Sequence, residues 1–315
     1  MFLPSIFPNR GSSFNIDSDI PPLDGKVILM TGGTSGLGKQ TVIELAKHRP
    51  ARIWLAARNA EKASATAREI QEVVGSESVL SILVLDLSSL ETVSAAAKIV
   101  RAESSRLDLL ILNAAVMVPA AAQTAAGYEL QFATNHLGHA LLIQNLLPLL
   151  LETQKRDTRA NVRIVSLTST AHRMAPPGGI HFELLQSPAE TLSPLSRYAQ
   201  SRLANILYTR AIARRHPDLT VVSVHPAISK TPLIGQFAES LSLNPDMVRL
   251  TSPLWLHDIR EGIKNPLWAA FAPDVRSGEY YEPIGVRGRA SRDASDNDLE
   301  HKLWDWTENE LHKWK

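Results

Sequence analysis

The chain has 315 residues, 44% hydrophobic and 21% charged, with a formal net charge of +1 at pH 7. That size and balance suit one large α/β domain or two small ones and give no electrostatic basis for a nucleic-acid or anionic-membrane partner. The absence of cysteine excludes disulfides, thiolate nucleophiles and cysteine metal sites together.

Residues 1–22 open the chain. Pro4, Pro8 and Asn9 interrupt their short apolar part and no basic region precedes it, so they read as an irregular arm and not a signal peptide. No run reaches the roughly 18 uninterrupted apolar residues of a membrane span. The expectation is a cytoplasmic protein with no integral membrane segment, its residues 23–315 forming a single domain.

From residue 27 onward, short apolar runs alternate with helical spacing. Residues 27–31, 52–56, 81–86, 109–113, 162–167 and 220–225 are rich in Val, Ile and Leu with little in–out alternation. That pattern marks strands buried on both faces, hence a parallel sheet. Helical spacing fills residues 38–48, 61–74, 90–103, 127–151 and 198–215. Repeated βα units of this length predict an α/β fold: one doubly wound parallel sheet of Rossmann type, flanked by helices on both faces. Segments 174–194 and 228–262 break the rhythm. Both follow predicted strands, where such sheets bind ligands, so they are candidate walls of a substrate pocket or else surface decoration.

The first strand leads into Thr31-Gly32-Gly33-Thr34-Ser35-Gly36-Leu37-Gly38, then Lys39 and a helical pattern. Glycines let the backbone turn sharply and approach a pyrophosphate. The helix N-terminus offers free N–H groups to the anion. Gly32, Thr34, Ser35, Gly36, Leu37 and Gly38 therefore read as a phosphate cradle, with Lys39 adding to its positive field. The second strand ends at Arg58, where an acid would favour NAD. An arginine can pair with a 2′-phosphate and favours NADP; the plainer reading is a solvated strand-end charge. Asp86, followed by Leu87, can accept from an adenine amino group or cap the next helix, and both roles are compatible. Asn113, followed by the small Ala114, can bond a ribose or brace the neighbouring strand.

Asn135 lies inside a long helical pattern, where asparagine is unfavourable and needs a reason such as a bent helix or a bound water. His136 and His139 stand three apart with no carboxylates at matching spacing, so they read as a structural pair; no metal site is expected. Ser169 follows the fifth strand. Tyr198 and Arg202 share one helix face. A guanidinium beside a phenol favours the ionised phenol, and such a group can protonate a carbonyl oxygen as hydride arrives from a nicotinamide. Ser169 could hold that oxygen. The plainer reading of Tyr198 is a packed aromatic.

In this order, Thr31 to Gly38, Asp86, Asn113 to Ala115, Asn135, Ser169, Tyr198 and His225-Pro226 resemble the short-chain dehydrogenase/reductase superfamily. Lys39, Asn135-His136-Leu137-Gly138-His139 and Ser201-Arg202-Leu203-Ala204-Asn205 look closest to its retinol-dehydrogenase-like and protochlorophyllide-reductase-like branch. Trp304-Asp305-Trp306-Thr307-Glu308 is similar to fungal members. The resemblance implies NADP(H) as cofactor. It implies Asn135 holding a relay water, Ser169 positioning the substrate oxygen and Tyr198 as general acid/base. Arg202 stands in place of a lysine, and Pro226, Ile228 and Ser229 line the cofactor. It further implies a homodimer paired through the helices over 127–151 and 198–215.

Three departures stand out. Arg202 keeps the charge but, with a pKa above about 12, cannot readily pass on a proton. Ala115 and Ala227 replace glycines common at those places. The expected activity is hydride transfer between NADP(H) and a bulky apolar carbonyl or alcohol, in secondary metabolism. The alternatives are a non-redox step on the same scaffold, or a non-catalytic NADP-binding protein.

Overall fold

The computed structural model describes residues 11–75, 80–157, 159–227, 229 and 257–315. The six apolar runs become β1 (Val27–Thr31), β2 (Arg52–Ala57), β3 (Leu80–Val84), β4 (Leu109–Leu112), β5 (Arg163–Leu167) and β6 (Thr220–Val224). Two short strands follow that were not expected, β7 (Tyr280–Glu282) and β8 (Val286–Arg287). All eight form one sheet in the order β3-β2-β1-β4-β5-β6-β7-β8. Pairing is parallel from β3 through β7, and antiparallel only between β7 and β8. Strand order reverses between β1 and β4, which opens a crevice beyond their carboxyl ends. There Thr31 lies opposite both Ala56 and Leu112.

The described helices, numbered in chain order, are α1 (Ile16–Asp19), α2 (Gly36–Ala46), α3 (Ala60–Val74), α4 (Leu90–Glu103), α5 (Leu130–Phe132), α6 (Gly138–Arg156), α7 (Pro194–Arg215), α8 (Ile259–Gly262), α9 (Lys264–Phe271) and α10 (Asn297–Leu311). They cover both faces of the sheet. Leu29, Trp54, Leu110 and Ile164 face one core with α4, α6, α7 and α10; Ile28, Met30, Leu55 and Val165 face the other with α2, α3 and α9. Successive side chains of a strand thus enter opposite cores, each burial contributing about 1.5–3 kcal/mol. β3 departs from the expectation. It is the sheet edge, so Ile82 and Val84 remain exposed.

From residue 11 on, the expected arm is more ordered than its sequence suggested. Asn15 caps α1, Phe14, Ile16 and Ile20 are buried, and Ser12 N donates to Ile284 O at 2.9 Å. Segment 174–194 packs against the helical layer. Ile180 and Leu185 are buried in the first core, and Gly179, at φ +80°, is wedged between Leu203 of α7 and Leu299 of α10. Most of 228–262, Ile228 included, lies outside the described residues. Among the described residues no helix is long and apolar enough to cross a membrane.

Of the two helices expected to pair two copies, α7 packs against the chain's own α10. Every α7 residue from 197 to 209 is buried. Trp304 of α10 stacks on Tyr208, with ring centroids 5.3 Å apart, and Glu300 of α10 pairs with Arg210 and Arg214.

Candidate active site

Gly32 (φ +67°) and Gly36 (φ +51°) take left-handed backbone that L side chains rarely adopt. A Cβ on Gly38 would stand 2.1 Å from the Gly32 carbonyl oxygen, and one on Gly33 2.3 Å from Leu55 Cδ1. α2 starts at Gly36, and Ser35 at its N-cap makes no side-chain capping bond. The first-turn amides of Gly36, Leu37 and Gly38 are thus left for an outside acceptor. With Thr34 and Ser35 they frame a cradle that fits a pyrophosphate.

The Thr31 hydroxyl anchors this turn to the rest of the site. It accepts from Asn113 N at 3.0 Å and Ala114 N at 3.1 Å. With both lone pairs used, its proton goes to His139 Nε2 at 3.0 Å, so His139 Nδ1 carries a proton and donates to Asn135 O at 3.1 Å. Burial holds His139 neutral, its pKa pushed down to about 4; the bond to Asn135 raises it and Arg202 lowers it. Asn113 Nδ2 donates to the carbonyls of Thr31 (3.0 Å) and Gly32 (3.2 Å), so of its two readings the structure displays the brace.

Arg58, at the end of β2, is exposed and has no ion-pair partner among the described residues. Lys39 differs: it is ion-paired with Glu69 of α3, which holds its ammonium at the α2–α3 contact. Asp86 Oδ1 accepts from Ser88 N (2.9 Å) and Ser88 Oγ (2.7 Å), and Ser89 is the N-cap of α4. Asp86 therefore holds the turn before the helix. Leu87 is buried, and its carbonyl oxygen is 2.3 Å from where a Gly138 Cβ would lie, so only glycine lets α6 approach that turn so closely.

The long helix expected over 127–151 is interrupted. Between α5 and α6 the chain makes a π-turn, Ala133–Leu137, with Asn135 at its centre and fully buried. The asparagine has the reason it needed. Oδ1 accepts from Val116 N at 2.8 Å; Nδ2 donates to Val116 O at 2.9 Å and Ser201 Oγ at 3.0 Å. The side chain ties the exit of β4 to α7. His136 and His139 point to different partners, His136 reaching Asn205 Oδ1 (3.3 Å) and Thr307 Oγ1 (3.1 Å).

Ser169 leaves β5 and caps the 3₁₀ turn Thr170–Met174, its Oγ accepting from Ala171 N at 3.2 Å. Ser291 N donates to His172 Nε2 at 3.1 Å, so His172 Nδ1–H donates to Ser169 O at 2.7 Å and fixes the backbone there. Tyr198, in the first turns of α7, is buried in a small cluster with Met117, Ala171 and Leu195. Met117 follows β4 and Ala171 follows Ser169, so the phenol stands where the two strand exits meet. The Arg202 guanidinium lies over the Tyr198 ring, 4.8 Å from its centroid, and Nη1 donates to Leu167 O at 3.1 Å. Thr168 Oγ1 returns a bond to Arg202 O at 2.8 Å. Among the described residues Arg202 Nε is buried without a partner, a donor left for a ligand oxygen.

Beyond β6, Pro226 and Ala227 are half-buried and Ser229 is buried, its Oγ donating to Ala227 O at 3.0 Å. A Cβ on Gly262 would meet Ser229 Oγ at 2.1 Å and Leu37 Cδ2 at 2.6 Å, so this segment closes against the glycine turn. Ile228 lies outside the described residues. Sequence reasoning missed the hydroxyl of Thr31 and the roles of His139 and Ser201. The spacing of the two histidines flagged them, but their partners are distant in the chain.

A glycine-turn cradle at the switch point of a doubly wound sheet, with a phenol and a guanidinium at its rim, defines a dinucleotide-binding oxidoreductase site. The chain belongs to the short-chain dehydrogenase family, whose model matches residues 26–183. It is 36% identical to an uncharacterized oxidoreductase of Schizosaccharomyces pombe, over 92% of this chain and 86% of that one. It is 34% identical to the short-chain dehydrogenase/reductase drtF of Aspergillus calidoustus (93% and 96%) and 37% identical to retinol dehydrogenase 11 of Homo sapiens (90% and 85%). Among solved structures, an uncharacterized protein of Mycobacterium paratuberculosis superposes with a TM-score of 0.72 at 29% identity, covering 94% of this chain and 97% of that one. The RhlG/NADP active-site complex of Pseudomonas aeruginosa has a TM-score of 0.64 at 20% identity, covering 84% and 98%, a likeness of fold.

Proposed function

We propose that this chain is an NADP(H)-dependent oxidoreductase that transfers a hydride to or from a carbonyl or hydroxyl of a bulky apolar small molecule. The observation that carries the reading is the Tyr198–Arg202 pair, set beside the β5 exit that bears Ser169 and across the rim from the glycine cradle. Arg58, exposed and without an ion-pair partner among the described residues, supports a 2′-phosphate and hence NADP over NAD. Likeness to retinol dehydrogenase 11 supports an apolar alcohol or aldehyde.

When bound, NADPH supplies a hydride from its nicotinamide ring to the carbonyl carbon. The amides of Gly36, Leu37 and Gly38 would hold the pyrophosphate, Arg58 the 2′-phosphate, and Arg202 Nε a cofactor hydroxyl. Ser169 Oγ accepts from Ala171 N, which leaves its own proton free to donate to the substrate oxygen. Tyr198 gives its proton to that oxygen, and Arg202 stabilises the negative charge that develops on the phenol. Arginine does not hand on protons, so Tyr198 is not reprotonated through residue 202. A second reading, a non-redox step in the same pocket, draws on the same fixed cation at Arg202.

The test is NADPH oxidation by the purified chain against a panel of hydrophobic aldehydes and ketones, beside Tyr198→Phe. Turnover by the native chain that Tyr198→Phe abolishes is the expected result. NADPH binding without oxidation on any substrate would favour the non-redox reading, and failure to bind any dinucleotide would overturn both.

A further inference from the structure

Beside Ser169 at the exit of β5, the residues read as parts of the reaction site sit on two further elements, Asn135 in the π-turn and Tyr198 with Arg202 on α7. Helix α10 lies behind both. Asp296 caps its start, accepting from Asp298 N and Leu299 N, and Glu300, Leu303, Thr307 and Leu311 form its buried stripe. Glu300 and Trp304 engage α7. One turn later, Trp306 meets Phe132 edge-on, with centroids 5.8 Å apart, and Thr307 Oγ1 reaches His136 Nε2 at 3.1 Å. His136 is the residue after Asn135, and its Nδ1 faces Asn205 Oδ1 of α7 at 3.3 Å. Its ring packs edge-on against Phe132 and Tyr208. A single buried imidazole thus joins the π-turn, α7 and the C-terminal helix.

A π-turn has poorer hydrogen-bond geometry than the α-helix it interrupts and persists where tertiary contacts hold it. On the front of this turn, Asn135 is bonded to Val116 and Ser201. On its back, the polar contacts of His136 are Asn205 and Thr307. With Asn205 Oδ1 taking the Nδ1 proton, His136 Nε2 accepts from the Thr307 hydroxyl.

We propose that Thr307 is a positioning residue: acting through His136, the C-terminal helix sets the placement of Asn135 against α7. This rests on reading Asn135 and Tyr198 as parts of the reaction site. Its coupling to the π-turn is a property of the fold that can be read without turnover.

The experiment compares the full chain with Thr307→Val, which keeps shape and loses the hydroxyl, and Thr307→Ser, which keeps the hydroxyl. Hydrogen exchange followed by mass spectrometry should show faster exchange over residues 133–137 in Thr307→Val, with residues 27–38 unchanged and Thr307→Ser like the native chain. With an accepted carbonyl substrate, kcat should fall about tenfold or more in Thr307→Val at unchanged KM and NADPH affinity, and Thr307→Ser should restore it. Unchanged exchange over 133–137 in Thr307→Val would overturn the proposal. So would a Thr307→Ser variant as impaired as Thr307→Val, or a parallel loss of NADPH affinity that marks general damage. A native chain with no turnover would sink the proposed reaction and leave the exchange result to decide the coupling.

Discussion

The Arg202 guanidinium lies face-on to the Tyr198 ring, 4.8 Å from its centroid, while Nη1 is tied to Leu167 O. Such a contact is worth about 0.5–2 kcal/mol and places a permanent positive charge against the phenol. Arg202→Ala should therefore lower kcat by about 10²-fold or more, with weaker NADPH binding. Arg202→Lys keeps the charge and adds a group able to pass on a proton, so kcat should match or exceed that of the native chain. Steady-state kinetics of both variants check this.

Thr31 gives the second prediction. Thr31→Val leaves Asn113 N, Ala114 N and His139 Nε2 without their shared partner. An unsatisfied buried group costs about 1–3 kcal/mol, so Tm should fall by roughly 3–6 °C. Thr31→Ser should recover most of the loss. Calorimetry in the absence of cofactor reads both.

Arg58 should set cofactor choice. Arg58→Glu removes a charge-assisted bond and adds repulsion at the 2′-phosphate, so NADPH affinity should fall by about 10–100-fold while NADH binds as well or better. Fluorescence titration with each dinucleotide measures the ratio. Equal losses for both would place Arg58 away from the 2′-position.

Stability should depend on pH in a defined direction. Burial pushes the pKa of His136 down to about 3 and those of His139 and His172 to about 4, from 6.5 when exposed. Between about 6.5 and 4 the unfolded chain therefore binds more protons than the folded one. This contribution is fully present above pH 6.5 and is lost as pH falls, at up to about 1.4 kcal/mol per unit for each histidine. Urea unfolding at pH 7.5, 6 and 5 should show a falling midpoint, and His136→Gln should flatten the trend.

Much of the fold was legible because buried parallel strands write themselves as apolar runs. β1 matched its expected bounds, and the other five matched within one or two residues. β7 and β8 were not legible. Tyr280–Glu282 and Val286–Arg287 are too short to carry a period, and they exist because β6 offers an edge to pair with. The glycine cradle was legible because its turn is local, with Gly38 packed on the Gly32 carbonyl; that Gly33 makes room for Leu55 of β2 was not. The Thr31–His139 contact spans 108 residues and His136–Thr307 spans 171, and no local pattern encodes them. Asn135 lay between these cases. Its poor fit to a helix was visible, whereas the π-turn that accommodates it depends on Val116 and Ser201 from other elements.

Whether Tyr198 protonates a carbonyl oxygen as a hydride leaves NADPH can be read directly from isotope transfer. NADPH deuterated at the nicotinamide position that donates is given to the native chain and to Tyr198→Phe with one accepted apolar aldehyde or ketone, and the product is examined by mass spectrometry and NMR. The native chain should place one deuterium on the carbinol carbon, and Tyr198→Phe should slow its formation at least about 10²-fold at unchanged NADPH affinity. Product without deuterium, or equal rates in the two proteins, would contradict this reading.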